Sequence, residues 1–211
     1  MKHITCYLDF VSPYAWLALE QMPKALQGLS YHIDYRPVLL GALLQGNANP
    51  GPAGIPAKRT WTYRHVTWLG RSLGIPLQMP ARHPFKPLPL LRLALAHGRD
   101  GSINRFVAQA VMKHVWQGGQ EANDAQRLQQ LREQLKAQLR KEEDSAEVKQ
   151  WLRSNTEQAQ QAGVFGVPAW VVDGHVFWGL DALPMLQAYL RGDEWFAQQW
   201  EAAAGVSWGL E

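Results

Sequence analysis

Apolar and polar positions alternate from the first residues. Ile4, Cys6, Leu8 and Phe10 share one side of residues 2–10, and a period of two predicts a strand. The period then changes. Trp16, Leu17, Leu19, Met22 and Leu26 form an apolar stripe that predicts a helix over residues 14–27. Residues 30–38 alternate again, with Tyr31, Ile33 and Tyr35 against His32, Asp34 and Arg36, which predicts a second half-buried strand. Strand, helix and strand in about 38 residues make a βαβ unit with a parallel pair.

The texture then shifts. Residues 46–57, GNANPGPAGIPA, are rich in Gly and Pro and predict a loop. Helical spacing follows over residues 57–73, ending near Gly74. Pro76, Pro80, Pro84, Pro87 and Pro89 punctuate an irregular link. Further helices are predicted over 88–98, 102–116, 124–140 and 145–162, their charged faces read as solvated surface. Apolar runs at 169–172 and 175–178 flank Asp173-Gly174, the strongest short signal for a hairpin. A last helix is predicted over 181–191, with Trp195 to Trp200 extending it or packing beneath it. The outer pieces spell βαβ–ββα. The fold class expected is therefore α/β, a thioredoxin-like fold interrupted by an all-helical insertion. Residues 1–43 and 164–211 form the thioredoxin-like domain, and residues 44–163 form the inserted domain.

Composition narrows the function classes. The 211 residues are 46% hydrophobic and 18% charged, as in a soluble globular protein, and no apolar run reaches a membrane span of about 20 residues. The N-terminus lacks a signal-peptide pattern, and Cys6 is the single cysteine, so a cytoplasmic location is expected without a disulfide framework. The net charge of +3 is spread along the chain; nucleic-acid binding would want a denser basic stripe. Most of the ten tryptophans are expected in core or pocket walls. The seven histidines show no HExxH or paired spacing, so no metal site is expected. Cys6 lies on the apolar face of the first strand and reads as a buried structural thiol.

One corner carries candidate chemistry. LDF meets Ser12-Pro13 where the first helix begins. Ser is a favoured N-cap and Pro a favoured first helical residue, which explains the pair without any function. The same geometry offers free N–H groups and positive dipole potential to an anion. In a thioredoxin-like order this corner is the place of thiol chemistry. Here Ser12 and Ala15 stand where a redox protein would carry Cys-x-x-Cys, so the chain cannot cycle a disulfide. It can still bind an external thiol, because a hydroxyl donating to a thiolate favours the charged form. Glutathione is the obvious such thiol in a reducing cytoplasm. Two further motifs agree with a peptide-like ligand. Gly166-Val167-Pro168 precedes the hairpin; its proline is either a cis residue that frees the Val167 backbone for an extended ligand, or an ordinary strand start. Trp178-Gly179-Leu180-Asp181 opens the last helix; Asp181 is either a plain N-cap or a partner for a γ-glutamyl ammonium.

The segments DFVSPYAWLA (9–18), PAKR (56–59), GIPL (74–77), GVFGVPAWVVDG (163–174) and FWGLDAL (177–183) together resemble the 2-hydroxychromene-2-carboxylate isomerases and kappa-class glutathione transferases of the DsbA-like thioredoxin superfamily. The likeness runs nearly end to end. It implies glutathione as cofactor and a homodimer. It implies that Ser12 contacts the sulfur, that Val167 pairs with the tripeptide backbone beside a cis Pro168, and that Trp178, Gly179, Leu180 and Asp181 surround the γ-glutamyl end. Asn49 and Lys58 resemble a loop Asn and helix Lys that reach the tripeptide, with Asn47 an alternative to Asn49. Departures are plain: Ala15 replaces a second hydroxyl, VLLGALLQGN lacks a lysine that some isomerases carry, and a family tyrosine falls near His83.

The resemblance implies that the glutathione thiolate adds reversibly to a conjugated carbon of a small aromatic or conjugated substrate, allowing cis–trans isomerisation of an aromatic-degradation intermediate. Trp16, Trp61, Trp178 and His83 are the candidate walls for that substrate. Two alternatives stand beside the isomerase: a kappa-like glutathione transferase or peroxidase, and a non-catalytic thioredoxin-like binding module.

Overall fold

The computed structural model describes residues 1–207 and Gly209; Trp208, Leu210 and Glu211, which close the expected 164–211 segment, lie outside the described residues. Strand β1 (Lys2–Leu8) buries Ile4, Cys6 and Leu8 as the alternation requires. It stops two residues short of the predicted end. Asp9 turns its carboxylate back onto the chain, and Phe10 enters the core from a bend. Helix α1 (Pro13–Ala25) returns the chain to β2 (Tyr31–Pro37), which pairs parallel with β1 in the register Lys2↔Tyr31 to Leu8↔Pro37.

Helix α2 (Leu40–Gly46), not predicted from the sequence, comes next. A short 3-10 turn at Pro52–Gly54 interrupts the Gly/Pro-rich loop. Helix α3 (Pro56–Leu73) ends at Gly74, whose φ of 67° is the left-handed conformation that terminates helices. Helices α4 (Leu88–Ala96), α5 (Arg105–Trp116), α6 (Ala125–Leu135) and α7 (Ala146–Gln161) follow. Asn104, Asp124 and Ser145 cap the last three through their side-chain oxygens. Strands β3 (Ala169–Val172) and β4 (His175–Trp178) form the predicted hairpin, with Asp173 and Gly174 both at positive φ. The sheet order is β2-β1-β3-β4, with β3 antiparallel to both neighbours. Helix α8 (Leu183–Leu190) is shorter than predicted. Trp195 and Trp200 belong to a separate helix, α9 (Trp195–Ala204), beyond a turn at Gly192.

One hydrophobic cluster joins the sheet and α1 to helices α4 and α5: Phe10, Trp16, Leu17, Trp170 and Phe177 are continuous with Leu91, Val111, Met112 and Trp116. A second, smaller cluster lies under α2 and α7 and holds Tyr7, Val38, Leu43, Ala159, Val164, Val167 and Ala169. Helix α7, within the 44–163 segment, is tied to the end of β2. The buried Asn155 donates to the carbonyls of Pro37 and Gly101 at 3.0 and 2.7 Å and accepts from Arg36 at 3.1 Å. Among the described residues Trp16, Trp116 and Trp170 are fully buried and Trp151 and Trp200 pack against the core, whereas Trp61, Trp68, Trp178 and Trp195 are exposed. Among the described residues no helix is long and apolar enough to cross a membrane.

Candidate functional site

Ser12 is extended (φ −95°, ψ 115°) and caps α1, its Oγ accepting from the Ala15 N–H at 3.3 Å. The same hydroxyl donates to the Val167 carbonyl at 3.3 Å, 155 residues away in the chain. Cap and cross-chain contact are thus one group. Ser12 is 6% exposed, and Pro13 fills the first helical position.

Asp9 shapes this corner, a role the sequence reading missed. It is fully buried. Its carboxylate accepts from the Val11 N–H at 3.1 Å and the Leu40 N–H at 2.9 Å, joining the approach to α1 with the start of α2. Helix α2 has no side-chain cap of its own, so Asp9 supplies one from a distance. Burial pushes the carboxyl up to about 7, with the backbone donors acting in the opposite sense. A lone carboxylate in the apolar run LDFV is the signal that could have revealed it.

The opposite wall comes from the segment before β3. The Val167–Pro168 bond is cis. The Val167 N–H meets no protein acceptor among the described residues. Trp178, 52% exposed, lies across Gly166, where a Cβ would sit 2.7 Å from the indole nitrogen, and packs on Phe165 with ring centres 4.8 Å apart. Gly179 has φ 99° and donates to the Pro168 carbonyl at 2.9 Å, which fixes Trp178 and Leu180 on either side of the turn. Asp181 is exposed and does not cap α8; Ala182 holds the cap position without a side-chain bond. The Asp181 charge reaches Tyr14: burial first, and that charge second, push the Tyr14 phenol above its ordinary range.

Tyr14, in the first turn of α1, connects the corner to α3. Its hydroxyl lies 2.9 Å from His65 Nδ1. Lys58, Trp61 and His65 recur at i, i+3 and i+7 on one face of α3, and Trp68 continues it. His65 stacks between Trp61 and Trp68, which are 64% and 60% exposed. Lys58 is exposed and has no ion-pair partner among the described residues. Asn49 is exposed, and its Oδ1 accepts from the Gly51 N–H at 2.8 Å; Asn47 instead donates to the Leu43 carbonyl at the end of α2. Neither Asn49 nor Lys58 forms a hydrogen bond to Ser12 or Val167 among the described residues.

Two predicted substrate groups occupy other positions. Trp16 is fully buried and spends its indole N–H on the Pro76 carbonyl at 3.0 Å, so it is core and not a ligand wall. His83 has both ring nitrogens engaged. Nε2 lies 2.8 Å from the Val11 carbonyl, which can only accept, so Nε2 carries the hydrogen. Nδ1 lies 2.9 Å from the Tyr63 hydroxyl. Burial pushes the His83 pKa down, which keeps the ring neutral. Neither nitrogen is left for a substrate, and His83 instead braces the residue before Ser12.

Residues 3–191 match the model of the DSBA-like thioredoxin domain, and the chain belongs to that family. It is similar to a 2-hydroxychromene-2-carboxylate isomerase of Sphingobium xenophagum, 29% identical over 201 residues, covering 90% of this chain and 98% of that protein. It is similar to glutathione S-transferase kappa 2 of Caenorhabditis elegans, 27% identical over 207 residues, covering 90% and 92%. Among solved structures, a 2-hydroxychromene-2-carboxylate isomerase superposes with a TM-score of 0.72 at 21% identity, covering 97% of this chain and all of that one.

Proposed function

We propose that the chain is a glutathione-dependent isomerase of the 2-hydroxychromene-2-carboxylate isomerase type, acting on a small conjugated intermediate of aromatic degradation. The observation that carries this reading is the double use of the Ser12 hydroxyl. A hydroxyl, a helix N-terminus and the backbone of Val167 share one corner. These groups fit a cysteine-containing tripeptide: a donor for sulfur, a free backbone N–H for a peptide carbonyl, and exposed Asp181 and Lys58 for its charged ends. When bound, glutathione supplies a thiolate nucleophile that adds reversibly to a conjugated carbon and leaves unchanged.

The rest is the work of the chain. Ser12 re-aims its O–H from the Val167 carbonyl toward the sulfur anion and lowers the thiol pKa. The α1 N-terminus adds its dipole. Val167 orients the tripeptide through its backbone, with Gly179 and Leu180 shaping the γ-glutamyl end. Asn49 retains its amide N–H₂ for the ligand. Trp61 and Trp178 offer apolar faces to a flat substrate. The homodimer and cytoplasmic setting implied by the resemblance belong to the same reading, and sedimentation tests the first.

The comparable likeness to a kappa transferase, 27% against 29%, favours a second reading in which the same corner conjugates glutathione to an electrophile. One experiment separates the two. The protein is incubated with a chromene carboxylate or an electrophilic aryl halide, with and without glutathione. Isomerised product with glutathione unconsumed supports the isomerase. A glutathione conjugate of the halide supports the transferase. No turnover, with binding by calorimetry, leaves a binding module.

A further inference from the structure

At the end of β1 far from Ser12, the exposed sheet face carries three metal-ligating side chains. His3 and His32 are partners in the parallel register, and Asp34 lies two residues along on the same face of β2. Asp34 Oδ2 is 3.1 Å from His3 Nε2, and Oδ1 is 3.3 Å from His32 Nε2. All three ligand atoms lie within 4.8 Å of one another. The imidazoles stack with centres 5.4 Å apart and planes 30° from parallel. The His side chains are 57% exposed and that of Asp34 only 26%, so the carboxylate forms the floor and the imidazoles the rim.

We propose that His3, His32 and Asp34 form a zinc site that clips β1 to β2. Tetrahedral zinc with bonds of about 2.0–2.1 Å spaces its ligand atoms about 3.3 Å apart. The observed separations of 3.1 and 3.3 Å run to the two different Asp34 oxygens, so a small turn of the carboxylate brings one oxygen within reach of a shared ion. In the metal-free contacts each Nε2 carries the hydrogen, because a carboxylate only accepts. Zinc takes the Nε2 lone pairs as those hydrogens move to Nδ1 through solvent, and the carboxylate turns to supply one oxygen. Water completes the coordination from the solvent side. Ser102 Oγ donates to Asp34 Oδ1 at 3.4 Å and holds the carboxylate from behind, as outer partners of metal ligands do. Two neutral imidazoles and one carboxylate suit a borderline ion such as zinc better than calcium or magnesium. No sequence spacing shows this site: His3 and His32 are brought together only by strand register. With three protein ligands at the surface, affinity is weaker than in closed four-ligand sites.

The test uses the untagged full chain, freed of metal by a chelator and titrated with zinc by calorimetry. Cobalt serves as an optical probe of four-coordinate geometry. The expected result is one equivalent of zinc and intense visible cobalt absorption. The unfolding midpoint should rise by about 5–10 °C at zinc concentrations roughly 100 times the dissociation constant. His3→Ala and His32→Ala, both at exposed positions, should each weaken binding by about 100-fold, and Ser102→Ala by about 10-fold. Absence of zinc binding by the wild-type chain, or an affinity in both His variants equal to that of wild type, overturns the proposal.

Discussion

The Ser12 hydroxyl and the Val167 carbonyl meet at 3.3 Å across 155 residues, joining the first turn of α1 to the segment that opens β3. The contact places a rotatable O–H between a helix N-terminus and a carbonyl that only accepts. Ser12→Ala removes the cap and the donor together. The cap costs about 1 kcal/mol, and the fold should persist. A hydrogen bond to a charged group contributes about 1.5–3 kcal/mol, so the pKa of bound glutathione should rise by about 1–2. Ultraviolet absorbance of the bound thiolate across pH measures this. Equal values in the two proteins would remove Ser12 from the mechanism.

Gly166 and Trp178 make a second relationship open to test. A Cβ at Gly166 would press on the edge of the indole, not on backbone. Trp178 is half exposed, so it can swing outward, and Gly166→Ala should cost only about 1 kcal/mol. The movement uncovers the backbone before Val167. We expect a red shift in tryptophan fluorescence and roughly tenfold weaker glutathione binding. Unchanged affinity with a shifted spectrum would show that Trp178 does not shape the site.

His83 predicts a pH dependence of stability. Its pKa is depressed by burial, so the native state resists protonation while the unfolded chain titrates near 6.5. Its contribution is present above the unfolded pKa and is lost as pH falls below it. The slope is at most about 1.4 kcal/mol per pH unit. His114 is depressed for the same main cause, so replacing His83 removes only part of the acid sensitivity. Urea unfolding at about pH 7 and about pH 5 should show a smaller loss in His83→Gln than in wild type. Parallel losses would contradict the assignment of a buried neutral ring.

The sequence made some of this visible for identifiable reasons. The hairpin around Asp173-Gly174 was legible because positive φ at two adjacent positions demands those residue types. The Ser12-Pro13 corner was legible because capping chemistry is local. Helix α2 was not, because its start is held by Asp9 from another element and not by a cap of its own. Trp16 and Trp61 look alike in the sequence as tryptophans on predicted helices and candidate substrate walls. Only packing separates the buried indole on Pro76 from the exposed one stacked on His65. His65 and Tyr14 were missed because their contact joins two helices 51 residues apart. His83 was expected at the substrate, and its contacts with Val11 and Tyr63 could not be read because they come from elements that spacing cannot align.

Asp9 yields the prediction with the opposite sign. Its native pKa is raised to about 7 from 3.8, so the folded protein holds the proton more tightly than the unfolded chain. The resulting stabilisation is complete below about pH 4 and disappears as pH rises through about 7. Asp9→Asn is neutral throughout and keeps one acceptor, while its amide N–H₂ faces one of the two backbone donors at a pH-independent cost of about 1–3 kcal/mol. Wild-type stability relative to the variant should therefore fall by on the order of 3 kcal/mol between about pH 4 and about pH 8. Denaturant titrations of both proteins at several pH values measure that difference. A functional readout accompanies it. Asp9 lies three residues from Ser12 under the same corner, and its ionised form opposes a sulfur anion there. Above about pH 7, Asp9→Asn should bind glutathione with a lower thiol pKa than wild type. A pH-independent stability difference would mean that Asp9 is ionised in the fold at ordinary pH, held so by the Val11 and Leu40 amides.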